Sequence, residues 1–157
     1  MKIAVNTQLL IKDKLEGIGW FEYETLKRIT RDHPEHEFLF IFDRPWDEQF
    51  IFSDNITPVR TSFPSRHPLL WYKQFHYSIP RILKKHKIDL FFSPDGWNVP
   101  AHFKSIIVLH DLNFVHFPKN LPPLARKFYE YYFPRYAKNA QRIVTVLTTC
   151  AWSAWRW

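Results

Sequence analysis

Apolar residues fall into short continuous runs, separated by longer stretches in which apolar and charged positions recur with helical spacing. A run that is apolar at nearly every position predicts a strand buried on both faces of a parallel sheet, and EFLFIF at 37–42 is the clearest example. Similar runs predict five further strands, at Lys2–Leu10, Ile56–Thr61, IDLFFSPDG (88–96), KSIIVLHDLNF (104–114) and RIVTV (142–146).

The stretches between these runs predict helices. The first follows a loop at 15–19 and ends at His33-Pro34, with charged residues outside its apolar stripe. The stripe consists of Phe21, Leu26 and Ile29, with Trp20 and Tyr23 nearby. The segment 67–87 contains Pro80, which predicts either a kinked helix or two helices with Pro80 in the first turn of the second. A last helix over 122–140 is interrupted by Pro134.

Strands and helices alternate at spacings that suit parallel crossover connections. This order predicts an α/β, Rossmann-like fold with a mostly parallel sheet and helices on both faces. Ligands of such sheets bind beyond the carboxyl ends of the strands. The loops at 15–19, 93–98 and 110–116 are therefore expected to line one crevice.

Composition supports a packed unit, since 46% of the 157 residues are hydrophobic and 18% are aromatic. The single cysteine excludes an internal disulfide and favours a reducing compartment. No stretch approaches the roughly 20 apolar residues that span a bilayer. We therefore expect a cytoplasmic protein, either soluble or peripheral at the inner membrane face.

The formal net charge is +7, which permits attraction to phosphates, nucleic acids or an anionic membrane, although an ordinary basic surface explains it equally well. No nucleic-acid motif is present, so no nucleic-acid partner is expected. One basic segment has aromatic neighbours: Arg81, Lys84, Lys85, Lys87, Trp71, Tyr72 and Phe75. It is typical either of a membrane-contacting surface or, with more weight, of a solvated helix end whose cations complement the helix dipole.

Two glycines, Gly17 and Gly19, lie between the first strand and the first helix in LEGIGW. Glycine there lets backbone amides approach a diphosphate at the helix amino terminus. The third glycine of the dinucleotide fingerprint is missing, so a tight turn with positive φ is an equal alternative.

Polar residues follow two other strands. In SPDGW, Asp95 and Gly96 lie at the crevice, where Asp95 either accepts sugar hydroxyls or, as the favoured interpretation, bonds its own backbone in a Pro-Asp-Gly turn. In VLHDLNF, His110 and Asp111 are placed to bind a hydroxyl or a phosphate, and His110 can also transfer a proton. His110 and His116 do not make a metal site, because no further close ligand completes a tetrahedral set.

Three segments together resemble the amino-terminal domain of glycosyltransferase family 4, the retaining GT-B enzymes that include bacterial mannosyl- and glucosyltransferases. They are MKIAVNTQLLIKDKLEGIGWFEYETLKRI at 1–29, LFFSPDG at 90–96 and VLHDLNF at 108–114. The resemblance covers residues 1–146. It implies half of a GT-B fold and a role in polysaccharide biosynthesis, in which a sugar moves from a nucleotide-sugar donor to a glycan or lipid-linked acceptor.

The resemblance also implies roles for individual residues. The backbone at Gly17 and Gly19 would face the donor diphosphate and the acceptor, and His110 would contact the donor sugar as the candidate catalytic residue. Asp111 would support that turn, and Asn113 of the same motif is a candidate substrate-binding residue. Such enzymes position substrates and stabilise charge on the diphosphate, with neither an essential metal nor another cofactor.

The sequence departs from the family pattern in two places. Trp20 stands where many relatives have arginine, and Leu147-Thr148-Thr149 stands where a serine-rich turn leads into a second, donor-binding domain. The segment LTTCAWSAWRW at 147–157 is therefore interpreted as an aberrant, frameshifted or truncated end. The alternatives are an aromatic tail that packs on the domain and a docking segment for a separate chain carrying the missing half.

Two functional hypotheses remain. In the first, the chain is the acceptor-side domain of a glycosyltransferase and is inactive alone, because the carboxyl-terminal domain or a complementary chain is missing. In the second, it is a non-catalytic module that binds a glycan or a nucleotide, or one chain of a split enzyme.

Overall fold

In the part of the chain that the structure describes, six short strands form one sheet in which every pairing is parallel. They are β1 (Lys2–Asn6), β2 (Glu37–Phe42), β3 (Ile56–Arg60), β4 (Leu90–Ser93), β5 (Ser105–Leu109) and β6 (Arg142–Thr145). Their spatial order is β3-β2-β1-β4-β5-β6. The computed structural model describes residues 1–62, 64 and 67–146. The prediction of a parallel, Rossmann-like α/β fold is confirmed.

Strand β2 has the predicted bounds, whereas the other strands are shorter than their apolar runs. Strand β1 ends at Asn6, because the amide of Leu10 then donates to the carbonyl of Thr7 and closes a turn. The polar residues that follow Asn6 therefore lie outside the sheet, at its carboxyl-terminal edge.

Within the described residues, five α-helices accompany the sheet: α1 (Gly17–Asp32), α2 (Pro68–Lys73), α3 (Ile79–His86), α4 (Asn113–His116) and α5 (Pro123–Asn139). A π-helical turn, Gln74–Ser78, joins α2 to α3, so Pro80 lies in the first turn of a second helix, as one of the two interpretations held. The prediction of an interruption at Pro134 is wrong, because α5 continues through it.

The first helix differs from its prediction in two respects. It begins at Gly17, so the two glycines belong to its first turn rather than to a loop. Neither has positive φ, which excludes the tight-turn alternative. Its buried residues are Gly19, Glu22, Leu26 and Thr30, whereas Trp20, predicted to lie near the apolar stripe, is 51% exposed.

Helices cover both faces of the sheet, as predicted. Along β2, Phe38, Phe40 and Phe42 pack on one face with Leu26 of α1. Leu39 and Ile41 point to the other face, which is covered by the α2–α3 run and α5. This alternation within a wholly apolar strand explains why EFLFIF shows no period of two.

Two of the three aromatic residues of the predicted basic-aromatic surface, Trp71 and Phe75, pack in the core instead. Phe75 is fully buried and stacks on Trp97 at 5.1 Å, and the ring of Trp71 lies 4.9 Å from that of Trp97. The four basic residues are exposed, and Lys84 and Lys85 lie in the last turn of α3. That position favours the interpretation as a solvated helix end. None of the helices in the described ranges is long and apolar enough to cross a membrane.

The two glycines of α1 offer a matched test of how closely this helix approaches the turn after β1. A Cβ at Gly19 would lie 3.0 Å from the carbonyl oxygen of Leu9, whereas a Cβ at Gly17 would meet nothing within 4 Å. We expect Gly19→Ala to lower the free energy of unfolding by about 1–3 kcal/mol, because backbone must move. Gly17→Ala should leave it unchanged or raise it by up to about 1 kcal/mol, because alanine favours the helix. Urea unfolding measures both, and equal effects would contradict the close approach.

Candidate functional site

The strand order creates a natural binding position between β1 and β4. Strand β1 pairs with β2 on one side and with β4 on the other, so the direction in which the chain adds strands reverses there. Ligands of doubly wound sheets bind at the carboxyl ends of the strands at such a point. Here those ends carry Asn6 as the last residue of β1, Gln8 just after that strand, and Asp95 after β4.

Asp95 joins the ends of the two strands. Its carboxylate accepts hydrogen bonds from Asn6 Nδ2 at 2.9 Å, from Gln8 Nε2 and from Ser93 Oγ at 2.7 Å. Burial raises the pKa of Asp95, and these hydrogen bonds, with one from the backbone amide of Trp97, act in the opposite direction. The donors hold the carboxylate in one orientation at the rim of the crevice.

The favoured interpretation of SPDGW as a turn agrees with the contacts. The Trp97 amide bonds Asp95, and Gly96 has φ of 84°, which favours glycine. A Cβ at Gly96 would also lie 3.2 Å from the Phe133 ring and 3.3 Å from the Leu109 side chain. The turn is therefore real, and it also presents Asp95 to side chains from β1.

The segment after β5 supplies the other predicted residues. His110 Nε2 lies 2.6 Å from the carbonyl oxygen of Pro94, and since that oxygen only accepts, the imidazole donates from this nitrogen. The His110 ring also meets the Phe21 ring edge-on at 4.8 Å. Asp111 Oδ1 accepts the amide of Asn113 at 3.0 Å, which fixes the start of α4.

One cavity of about 270 Å³ brings these residues together, and we call it the crevice. Five of the seven predicted site residues line it: Asp95, Gly96, His110, Asp111 and Asn113. Its apolar wall consists of Phe114, Leu121, Tyr129 and Phe133, with Ile18 from α1. Burial, together with the negative charges of Asp95 and Asp111, raises the pKa of Tyr129 to about 12, so its hydroxyl remains protonated near neutral pH.

The predicted glycines lie beside the crevice rather than in it. Gly17 and Gly19 line a neighbouring groove of about 430 Å³ with Leu9, Ile11, Lys14, Glu16 and Ile18. Ile18 lines both spaces, so the groove and the crevice adjoin at the amino terminus of α1. A ligand that extends from the crevice would meet the exposed first turn of this helix, where backbone amides favour an anion.

The sequence analysis missed the most unusual group near the crevice. Glu22, assigned to the charged side of α1, is fully buried, and neither of its carboxyl oxygens has a hydrogen-bond partner. Burial raises its pKa well above the ordinary value, and the negative charge of Asp95 adds to the effect. Glu22 therefore favours the neutral acid, whereas the hydrogen bonds to Asp95 favour its anion.

Other polar atoms beneath the crevice were also missed. Asn6 Oδ1 and Gln8 Oε1 are buried without a hydrogen-bond partner, although both amide nitrogens bond Asp95. The position of the Asn6-Thr7-Gln8 run directly after a buried strand was a usable signal, because that edge binds ligands. Glu22 gave no such signal, since a glutamate in a charged helix predicts exposure.

Comparisons with known proteins give little further identification. No protein-family model matches the chain, and a search of the curated proteins finds no match. Among solved structures, the chain is similar to an alpha-glucosyltransferase in complex with UDP and a 13-mer DNA containing an HMU base, with a TM-score of 0.40 and 14% sequence identity. The match covers 92% of this chain and 37% of that one. A similarity this distant carries no argument about activity.

Glu22 should make the free energy of unfolding of the protein depend on pH. Because its folded-state pKa is raised, its stabilising contribution is complete below the unfolded value near 4.5 and is lost as pH rises through the raised pKa. The free energy of unfolding should therefore fall with rising pH above about pH 5, by at most about 1.4 kcal/mol per pH unit. Urea unfolding at several pH values measures this.

The matched variants are Glu22→Gln and Glu24→Gln. Glu22→Gln removes the titrating group and should flatten the profile, whereas Glu24 lies on the same helix, is partly exposed and pairs with Arg28, so its variant should keep the wild-type slope. A wild-type slope in Glu22→Gln would contradict a neutral, buried Glu22.

Proposed function

We propose that the crevice binds a sugar ring and that this chain is the acceptor-side domain of a glycosyltransferase. The transferred sugar would come from a nucleotide-sugar donor and would pass to a glycan or lipid-linked acceptor. The proposal names His110 as the candidate catalytic residue, and Asp95, Gly96, Asp111 and Asn113 as crevice residues that contact substrate. Gly17 and Gly19 would face the diphosphate and the acceptor from the adjoining groove.

One observation carries the proposal: two carboxylates, an imidazole and an amide converge on a cavity that has an aromatic wall on its other side. Sugars present hydroxyls around their edge and C–H groups on their faces, so they need polar side chains and an apolar surface together. Tyr129 and Phe133 supply that surface, and Asp111 and Asn113 lie exposed at the rim.

The size of the crevice limits what it holds. Its volume of about 270 Å³ lies just below the roughly 300–1,000 Å³ of pockets that enclose drug-sized ligands. A single sugar ring suits this space, whereas a complete nucleotide sugar does not. The proposal therefore assigns binding of the nucleotide to residues outside the crevice, and we expect no turnover by the 157-residue chain alone.

The residues of the crevice would act by positioning. Hydrogen bonds from β1 hold Asp95, and the Pro94 carbonyl holds His110, so both side chains meet a ligand without first losing conformational freedom. A carboxylate accepts hydrogen bonds from sugar hydroxyls, and an imidazole either bonds a hydroxyl or relays a proton. No covalent step on the protein is required by this arrangement.

Titration calorimetry with monosaccharides, UDP and nucleotide sugars tests the proposal. We expect monosaccharides to bind weakly, and His110→Ala and Asn113→Ala to weaken that binding about threefold to tenfold each through lost hydrogen bonds. His102→Ala removes an exposed histidine that does not line the crevice and should leave sugar binding unchanged.

Three outcomes separate the alternatives. Absence of sugar binding would contradict the proposed crevice. Tighter binding of free UDP than of any sugar would favour a nucleotide-binding module instead. Transfer or hydrolysis of a nucleotide sugar by the purified chain would contradict the expectation that this chain alone gives no turnover.

A further inference from the structure

A second polar cluster lies at the other end of α1, in the turn His33-Pro34-Glu35-His36. The helix has 16 residues, so this turn lies about 24 Å from the groove at its first turn. One ligating atom from each of His33, Glu35 and His36 lies within 4.8 Å of the other two, a grouping that occurs at no other place in the described ranges. The cluster is therefore separate from the crevice and independent of the proposed function.

The backbone holds the two histidines at the ends of a closed turn. The His36 amide donates to the His33 carbonyl at 3.1 Å, so the two residues occupy its first and fourth positions. Asn55 Nδ2 lies 3.2 Å from the His33 carbonyl and 3.0 Å from that of His36. Asn55 is itself oriented by Ser53 Oγ at 2.6 Å, so the turn is anchored to the segment that leads into β3.

The side-chain atoms have the spacing of metal ligands. His33 Nδ1 lies 3.1 Å and His36 Nδ1 3.7 Å from the same oxygen, Glu35 Oε1. Zinc bonds of about 2.0–2.1 Å in tetrahedral geometry place two ligand atoms about 3.3 Å apart. The two imidazole rings are nearly parallel, with an interplanar angle of 16° and centroids 5.7 Å apart. In this arrangement the Nδ1 atoms of both rings face the same carboxylate.

The surroundings favour a cation. His36 Nδ1 is buried and has no hydrogen-bond partner, which leaves a ring nitrogen without a donor or acceptor. The turn follows the carboxyl end of α1, where the helix dipole is negative. Glu35 supplies a carboxylate oxygen within reach of both imidazole nitrogens, and a carboxylate is an anionic ligand.

We propose that His33 Nδ1, Glu35 Oε1 and His36 Nδ1 form a site for a divalent transition-metal ion of the zinc type. Two imidazoles and one carboxylate are ligands that zinc accepts, and water completes the fourth position. The metal replaces the proton between His33 and Glu35 and supplies the missing partner of His36. It links the end of α1 to the start of β2 and acts on stability rather than on the crevice.

Calorimetric titration of the full 157-residue chain with Zn²⁺ tests the site directly. We expect one zinc ion to bind per chain. In the double variant His33→Ala with His36→Ala, zinc affinity should fall at least about 100-fold. Removal of a residue that only hydrogen-bonds a metal ligand weakens metal binding roughly tenfold or more, and each histidine removed here is itself a ligand. Zinc at about 100 times its dissociation constant should raise the wild-type Tm by about 5–10 °C and leave that of the double variant unchanged.

The control removes two exposed histidines elsewhere, His102→Ala with His116→Ala, and should bind zinc as the wild type does. Glu35→Gln keeps the shape of the turn and removes the anionic ligand, so it tests the site even if the double variant does not fold. Absence of zinc binding by the wild type, or wild-type affinity in Glu35→Gln and in a folded double variant, would overturn the proposal.

Discussion

Hydrogen bonding of β1 to two parallel neighbours is the constraint on which the rest of the structure depends. Because β2 and β4 occupy the two edges of β1, β3 is added beyond β2, and β5 and β6 are added beyond β4. The loops at the carboxyl ends of β1 and β4 therefore run in opposite directions, which leaves space for a ligand between them. Asn6 and Gln8 then lie close enough to donate hydrogen bonds to Asp95, which lines the crevice together with residues that follow β5.

The two carboxyl groups near the switch point, the buried Glu22 and the partly buried Asp95, differ in protonation because they differ in partners. Asp95 collects hydrogen-bond donors, which stabilise its anion against the cost of burial. Glu22 has none, and the neighbouring anion adds to the cost of ionising it. Two acidic groups in one region therefore present one acceptor and one potential donor. Strongly shifted pKa values of this kind cluster at functional sites.

The sequence predicts the fold well because buried parallel strands need continuous apolar runs, as EFLFIF shows. The turn chemistry of SPDGW and the polar ends of β4 and β5 likewise indicate the position of five crevice residues. Prediction from the sequence fails where tertiary contacts override the local pattern. Gly17 and Gly19 belong to the first turn of α1 rather than to a loop. Glu22 is buried despite its charge, and Phe75 packs in the core although basic residues surround it in the sequence. The interpretation of 147–157 lies outside the described residues, so the domain boundary at 146 and its tail stay predictions, as does a cytoplasmic location.

The bond between Asn6 and Asp95 joins residues 89 positions apart, and every strand pair of the sheet is a crossover rather than a hairpin. The contact that orients Asp95 therefore cannot form within a local segment, and a long loop must close before it is gained. Chains of such high contact order fold slowly and expose apolar strands while they do so. During synthesis, the switch point must wait until β4 has left the ribosome, and until then β1 and β2 lack that neighbour.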